Sequence, residues 1–450
     1  MSVRVISSTT LYPSPSSDPS ICYDTKIPLT IFDKAAFDLN VSVLYVFQPP
    51  MPSNEAMKEG LLKALVHFPH LAGRLTTDEQ GRPCIHLNNA GVRVIETYIP
   101  VTLSEQLPFN PNTDIEDLFP PIEGFEEIMQ IQLNRYACGG LVIGQTCHHH
   151  VGDGQSMSSF YFTWAKLVRA AGLVSNKIDQ EPIILPYHDR ASVAVPRNPP
   201  NIEFDHRSIE FRKTCKENVR SSSSIKNLVV NFSVDFMAKL KMKVNEEISN
   251  CTTNSLPPHR MYTTTFECLL AHVWKKVTQA RGLEQDEFTQ VRVAVNGRAR
   301  MKPTVPMEYF GNLVLWAYPR LQVKELLQED YAYVAGAIHE AVAQVDNNYF
   351  KSFIDFGEVA KEDGGEKLVA MAPDIGNLLC PNLEVDSWLR FQFHHMDFGG
   401  GSPCAVLPAE LPVEGLVIFV PSCKEGGGID AVMALQHEHV QIFKDICHLY

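Results

Sequence analysis

Three consecutive histidines run into a tight turn at Cys147-His148-His149-His150-Val151-Gly152-Asp153-Gly154. An imidazole with an ordinary pKa of about 6.5 can take up and release a proton near neutral pH. Residues 140–147 before it read as a strand, with Leu141, Val142 and Ile143 as apolar weight and Gly139-Gly140 at its start. Met157, Phe160, Trp164, Leu167, Val168 and Ala171 then recur at helical spacing, with Gly172 as a stop signal. The histidines therefore stand at a strand end, held from behind and open in front.

Three readings of His149 follow: a general base, a structural histidine, or a metal ligand. Along a strand His148 and His150 share one face and His149 takes the other, so regular geometry cannot put all three on one ion. No His-Glu-x-x-His and no Cys-x-x-Cys completes a zinc site, and no Gly-x-Ser-x-Gly elbow offers a nucleophile. What remains on the enzymatic side is a base without a nucleophile, suited to a substrate that brings its own.

The elements that must position this base belong to a chain of 450 residues, long enough for two cores. Hydrophobic content of 45% and charged content of 20% are those of a soluble globular protein. The Ser- and Pro-rich first 20 residues lack a basic-then-apolar leader pattern. Eleven scattered cysteines suggest reduced thiols and a cytoplasmic protein. A net charge of −13 argues against nucleic acid, and no apolar run is long enough for a membrane helix.

In chain order, Val41 to Phe47 reads as a buried strand and Asn54 to Val66 as a helix capped by Ser53 or Asn54. Cys84 to Leu87 reads as a hairpin arm, and 128–137 pairs with 140–147. Prolines 182, 186, 196, 199 and 200, a basic stretch and Ser221 to Ser224 mark a crossover. The expected division is 1–188, a crossover over 189–224, and 225–450. In the second part, helices are expected from Ser233 to Val244, Phe266 to Val277, Leu326 to Val345 and Glu438 to His448. Strands are expected at Gln290 to Val295, Leu313 to Ala317, Trp388 to Phe393, Gly415 to Val420 and Gly428 to Leu435. The alternation predicts a pair of α/β domains.

His149-His150-Val151-Gly152-Asp153-Gly154 resembles the His-x-x-x-Asp-Gly motif of the plant BAHD acyl-CoA-dependent acyltransferases. Asp397-Phe398-Gly399-Gly400-Gly401 resembles that family's Asp-Phe-Gly-Trp-Gly signature, with Gly400 in place of the Trp. Leu71 to Leu75, Thr265-Phe266-Glu267, Asn296 to Arg300, Tyr309 to Asn312 and Leu411 to Gly415 also match in order. The resemblance implies two similar-sized mixed-sheet domains of the chloramphenicol-acetyltransferase-like type, with a solvent channel between them. It implies a monomer that uses acyl-CoA as co-substrate, with no bound cofactor, no metal and no acyl-enzyme, and with His149 deprotonating the acceptor. Asp153 is then structural, paired with Arg298 or Arg300, as are Gly154, Asp397 and Gly399. The lost Trp at Gly400 puts the local wall shape in question.

Cys380-Pro381-Asn382-Leu383-Glu384-Val385-Asp386-Ser387-Trp388 resembles the strand lining the family's acceptor pocket. Asp386 stands where shikimate-using members carry Thr, and Pro373 beside Asp374 where they carry a carboxylate-gripping Arg. The exchange favours a cationic acceptor: a charge pair at ~4 Å is worth ~4 kcal/mol at an effective dielectric of ~20. The alternative is that Asp386 is an ordinary solvated or capping carboxylate. The Asp-Ser-Trp variant resembles the branch that makes hydroxycinnamoyl amides of agmatine, tryptamine or tyramine. Trp388 is a candidate for orienting the oxyanion region, and Tyr45 for the acceptor wall. Thr264, Thr265, Arg212 and Lys213 are candidates for CoA. The expectation is therefore N-acyl transfer; the alternatives are O-acyl transfer and a non-catalytic metabolite-binding relative.

Overall fold

The computed structural model describes residues 2–15, 24–109, 115–172, 183, 185–212, 225–250, 263–362, 368–371 and 376–450. Two large mixed sheets dominate it. The first runs Arg4–Leu11, Val92–Ile99, Met129–Tyr136, Leu141–His148, Asn40–Phe47 and Ala405–Pro408 in spatial order. All its pairings are antiparallel except that of Val92–Ile99 with Met129–Tyr136. Its last strand comes from the second half of the chain and pairs Val406 with Tyr45. That donation covers an edge that would otherwise expose unpaired N–H and C=O groups.

The helices Asn54–His67 and Gly154–Gly172 pack together. Gly60 lets them approach, because a Cβ there would lie 2.2 Å from Val168 Cγ2. Trp164 Nε1 donates to the Met57 carbonyl across the same contact at 2.9 Å.

The second sheet runs Ile225–Phe232, Ile429–Gln436, Leu416–Pro421, Leu383–Ser387, Phe288–Asn296 and Val314–Ala317, with Arg320–Gln322 added beside Phe288–Asn296. Alternation along its strands divides side chains between two cores. In Leu416–Pro421, Val417 and Phe419 face the core built on the helices Val234–Asn250, Thr265–Arg281 and Tyr331–Gln344, while Ile418 and Val420 join the core of the first sheet. Ala431 and Met433 against Val432 and Ala434 do the same one strand away. The two halves thus share a hydrophobic seam.

The segment expected to be the crossover is tied to both halves. Arg190 pairs with Asp33 at 2.9 Å, and Arg197 with Asp355 at 2.5 Å. Part of it, residues 213–224, lies outside the described residues.

Two expectations change. The helix expected over Leu326 to Val345 is two, Val323–Gln328 and Tyr331–Gln344, because Asp330 caps the second by accepting the Tyr333 amide at 2.7 Å. The strand expected at Trp388 to Phe393 lies earlier, at Leu383–Ser387, and Gln392–His395 forms a 3-10 turn. Arg4–Leu11, for which the sequence reading named no element, is an edge strand. Among the described residues, no helix is long and apolar enough to cross a membrane.

Candidate active site

The strand Leu141–His148 delivers His149 into a turn between the two halves. Its amide donates to the Leu39 carbonyl at 2.9 Å, and its half-buried imidazole meets the Phe37 ring edge-on at 5.8 Å. Asn312, from the second half, clasps the residue. Its Nδ2 donates to the His149 carbonyl at 2.8 Å and to Asp33 Oδ1 at 3.0 Å. Both partners can only accept, which fixes the orientation of the amide. Asn312 Oδ1 must then be the acceptor 3.2 Å from His149 Nδ1. The proton sits on Nδ1, and the lone pair is left on Nε2. Asp33, wholly buried, is held in turn by Arg190 and by the Thr30 amide and hydroxyl at 2.9 and 2.8 Å. The contacts of Asn312 with His149 and with Asp33 were missed by sequence reasoning; the matched Tyr309 to Asn312 segment was the available signal.

Asp153 turns away from this network. Its carboxylate takes Arg298 in a two-pronged pair, at 2.8 and 3.0 Å, and accepts the amides of Ser156 and Leu313 at 3.0 and 3.1 Å. Burial pushes its carboxyl up, but Arg298 and these hydrogen bonds outweigh that and hold it below the usual range. Of the two arginines considered, Arg298 is the partner. Arg300 instead donates to the carbonyls of Val342 and Val345 at the end of the helix Tyr331–Gln344. Gly154 has a packing reason: a Cβ there would lie 2.4 Å from the Phe391 ring.

The loop at Asp397 is a nest around one carboxylate, whose Oδ1 accepts the amides of Gly399 and Gly401 at 2.7 and 2.9 Å. The φ of +112° at Gly399 requires glycine. At Gly400 a Cβ would fall 2.0 Å from the Pro50 carbonyl oxygen and 2.7 Å from Met51 Sδ. The missing Trp therefore leaves no vacant hole, because backbone fills the space.

Phe37 also stacks on Trp316, ring centroids 6.2 Å apart. The Arg292 guanidinium lies 3.7 Å over Trp316 and 5.4 Å from Phe37, and it pairs with Glu384 at 2.9 Å. Two residues on, Asp386 shares the face of Glu384 on the strand Leu383–Ser387. Burial and the neighbouring Glu384 raise its carboxyl to about 7 against the pull of Arg292. This places it beside an ion pair, not in open solvent.

Trp388 and Tyr45 both pack on Phe393. Trp388 packs on Phe391 and Phe393 at 6.4 and 5.8 Å. Tyr45 is wholly buried between Tyr161 and Phe393, in the core instead of on an open wall. Thr264 caps the helix Thr265–Arg281 in a capping box with Glu267, so its hydroxyl has a structural task, and Thr265 opens that helix. Arg212 lies in a two-residue strand paired with Val369–Ala370, its side chain outside the description. Asp374 and Lys213 lie outside the described residues.

Comparison with known proteins bears on this geometry. The chain is 48% identical to tryptamine hydroxycinnamoyltransferase 2 of Oryza sativa subsp. japonica, over 93% of each. It is 45% identical to tryptamine benzoyltransferase 1 of the same organism, over 98% of this chain and 97% of the relative. It is 39% identical to agmatine hydroxycinnamoyltransferase 1 of that organism, over 94% and 93%. Among solved structures, vinorine synthase superposes with a TM-score of 0.69 at 19% identity, over 98% of this chain and 96% of that one. F. graminearum TRI101 complexed with coenzyme A and deoxynivalenol gives 0.73 at 17%, over 94% of this chain and 97% of that one. These two carry the fold, two mixed-sheet halves of the chloramphenicol-acetyltransferase-like type. The Transferase family model matches residues 1–449, and the chain belongs to that family, the BAHD acyl-CoA-dependent acyltransferases.

Proposed function

We propose that the protein transfers an acyl group, hydroxycinnamoyl first, from acyl-CoA to a primary amine and so makes an amide. The observation that carries the reading is the clasp of His149 by Asn312, which leaves Nε2 as a proton acceptor. Relatives that acylate tryptamine and agmatine support the amine class, and the tryptamine benzoyltransferase makes benzoyl the competing donor.

The neutral amine attacks the thioester carbonyl, forming the C–N bond. His149 Nε2 removes the proton that the nitrogen sheds. The tetrahedral adduct collapses with C–S cleavage, and the departing CoA sulfur receives the proton. Holding both substrates in register contributes beyond the ~10²–10⁴-fold of the base. The Arg292, Glu384 and Asp386 wall receives the far end of the acceptor: with Asp386 ionised its formal charge is −1, suited to a guanidinium or an indole N–H. Trp388 orients the reacting carbonyl, and Thr264, Thr265, Arg212 and Lys213 meet CoA. The division at 189–224, a cytoplasmic monomer and the absence of a metal requirement complete the reading.

The test is incubation of the purified chain with p-coumaroyl-CoA or benzoyl-CoA and each of tryptamine, agmatine, tyramine and alcohols of like shape, read by mass. Amide products with at least one amine are expected. Ester products alone would move the assignment to O-acyl transfer, and no product with any pair would refute it.

A further inference from the structure

On the far side of the turn that carries His149, three metal-ligating groups converge. His148 Nε2 lies 3.5 Å from Asp38 Oδ1, and His150 Nδ1 lies 3.7 Å from the same oxygen. One donor atom from each residue lies within 4.8 Å of the other two. Ligands at about 2.0–2.2 Å from a tetrahedral ion stand roughly 3.3–3.6 Å apart, so the set needs little adjustment to close on one. Sequence reading set metal aside by counting the histidines along one strand. It could not see that pairing of Asn40 with His148 carries the preceding Asp38 to the pair on the shared face.

The surroundings suit an exchangeable ion. The two imidazoles are mostly covered, at 17% and 16% side-chain exposure, while Asp38 is 76% exposed and gives access from solvent. His148 Nδ1 accepts the His150 amide at 3.3 Å, which leaves its proton on Nε2. An ion on Nε2 shifts that proton to Nδ1 and gives up this long hydrogen bond.

We propose that Asp38, His148 and His150 bind a divalent transition-metal ion, zinc in the first place, at an accessory site whose occupancy slows acyl transfer. The reaction does not use the ion. The coupling runs through the neighbours of Asp38: the Leu39 carbonyl accepts the His149 amide, and the Phe37 ring packs on the imidazole. Drawing Asp38 onto an ion shifts both supports of the base. The binding claim is independent of the proposed function, and only the rate claim rests on it.

The test titrates the chelator-stripped full chain with zinc chloride by calorimetry and with cobalt(II) by absorption. One ion at micromolar affinity is expected, without a thiolate-to-metal band that would place it on cysteines. Asp38→Asn and His150→Gln should each weaken binding at least ~10-fold with unchanged melting temperature. Zinc in that range should slow wild-type turnover, reversibly by chelator, and leave Asp38→Asn unaffected. Equal binding by wild type and both variants, no binding, or a thiolate band would overturn the site. Binding without any change of turnover would overturn the coupling, and calorimetry decides the site even if no acyl transfer is found.

Discussion

Asn312 holds His149 at two points, with Oδ1 3.2 Å from the ring Nδ1 and Nδ2 2.8 Å from the backbone carbonyl, although 163 residues separate them in the chain. Replacement by Leu removes the tautomer control and takes one donor from the buried Asp33 carboxylate, which keeps Arg190 and Thr30. A loss of ~1–3 kcal/mol, roughly 10–100-fold in kcat with a lowered Tm, is expected. Steady-state kinetics and thermal melting on the same preparation check it.

His149→Ala should behave differently. The ring is half-buried and outside both cores, so the fold should survive while kcat falls ~10²–10⁴-fold. Retained CoA binding with full turnover would contradict the role of the base.

Asp386 gives a pH signature. Its carboxyl is raised to about 7, so below that it is protonated and loses its pull on a cation. The KM for agmatine should fall as pH climbs through 7, and in Asp386→Asn it should be high and flat; tryptamine should respond far less. The sign for stability is opposite. The folded chain keeps a proton that the unfolded chain sheds near ~4, so this group subtracts stability between there and 7. Denaturant titrations at several pH values should show a shallower decline for the Asn variant.

Cutting the Asp153–Arg298 pair tests a tie between the halves. Both side chains are buried, so Arg298→Ala leaves an uncompensated carboxylate and should cost ~3–5 kcal/mol. Arg300→Ala, which loses only helix-end carbonyl contacts, should cost less. Urea unfolding of the two variants side by side makes the comparison.

Restoring the family residue with Gly400→Trp should destabilise the protein. Even Gly400→Ala meets the Pro50 carbonyl at 2.0 Å and should cost ~1–3 kcal/mol. Differential scanning calorimetry would show it.

Periodic apolar spacing made most elements readable, because buried faces impose it: Leu141–His148, Thr265–Arg281 and Phe288–Asn296 fall within a few residues of expectation. Arg4–Leu11 escaped because, as an exposed edge strand rich in Ser and Thr, it lacks a buried stripe. The His149 and Asp153 positions were legible as a local motif. Asn312, Asp33 and Asp38 were not, since their roles come from partners brought in by strand register and by contact between the halves. Gly400 was readable as a departure, but the Pro50 backbone that explains it was not.

The strand Ala405–Pro408 has a practical consequence for engineering. Chimaeras spliced at the crossover would join one parent's Asn40–Phe47 to another parent's closing strand, a mismatched seam in every hybrid. An exchange of the proposed acceptor strand should therefore transplant Leu383–Ser387 alone and leave 405–408 with its original partner. A truncated first half made by itself would present a sticky border to its own copies and precipitate.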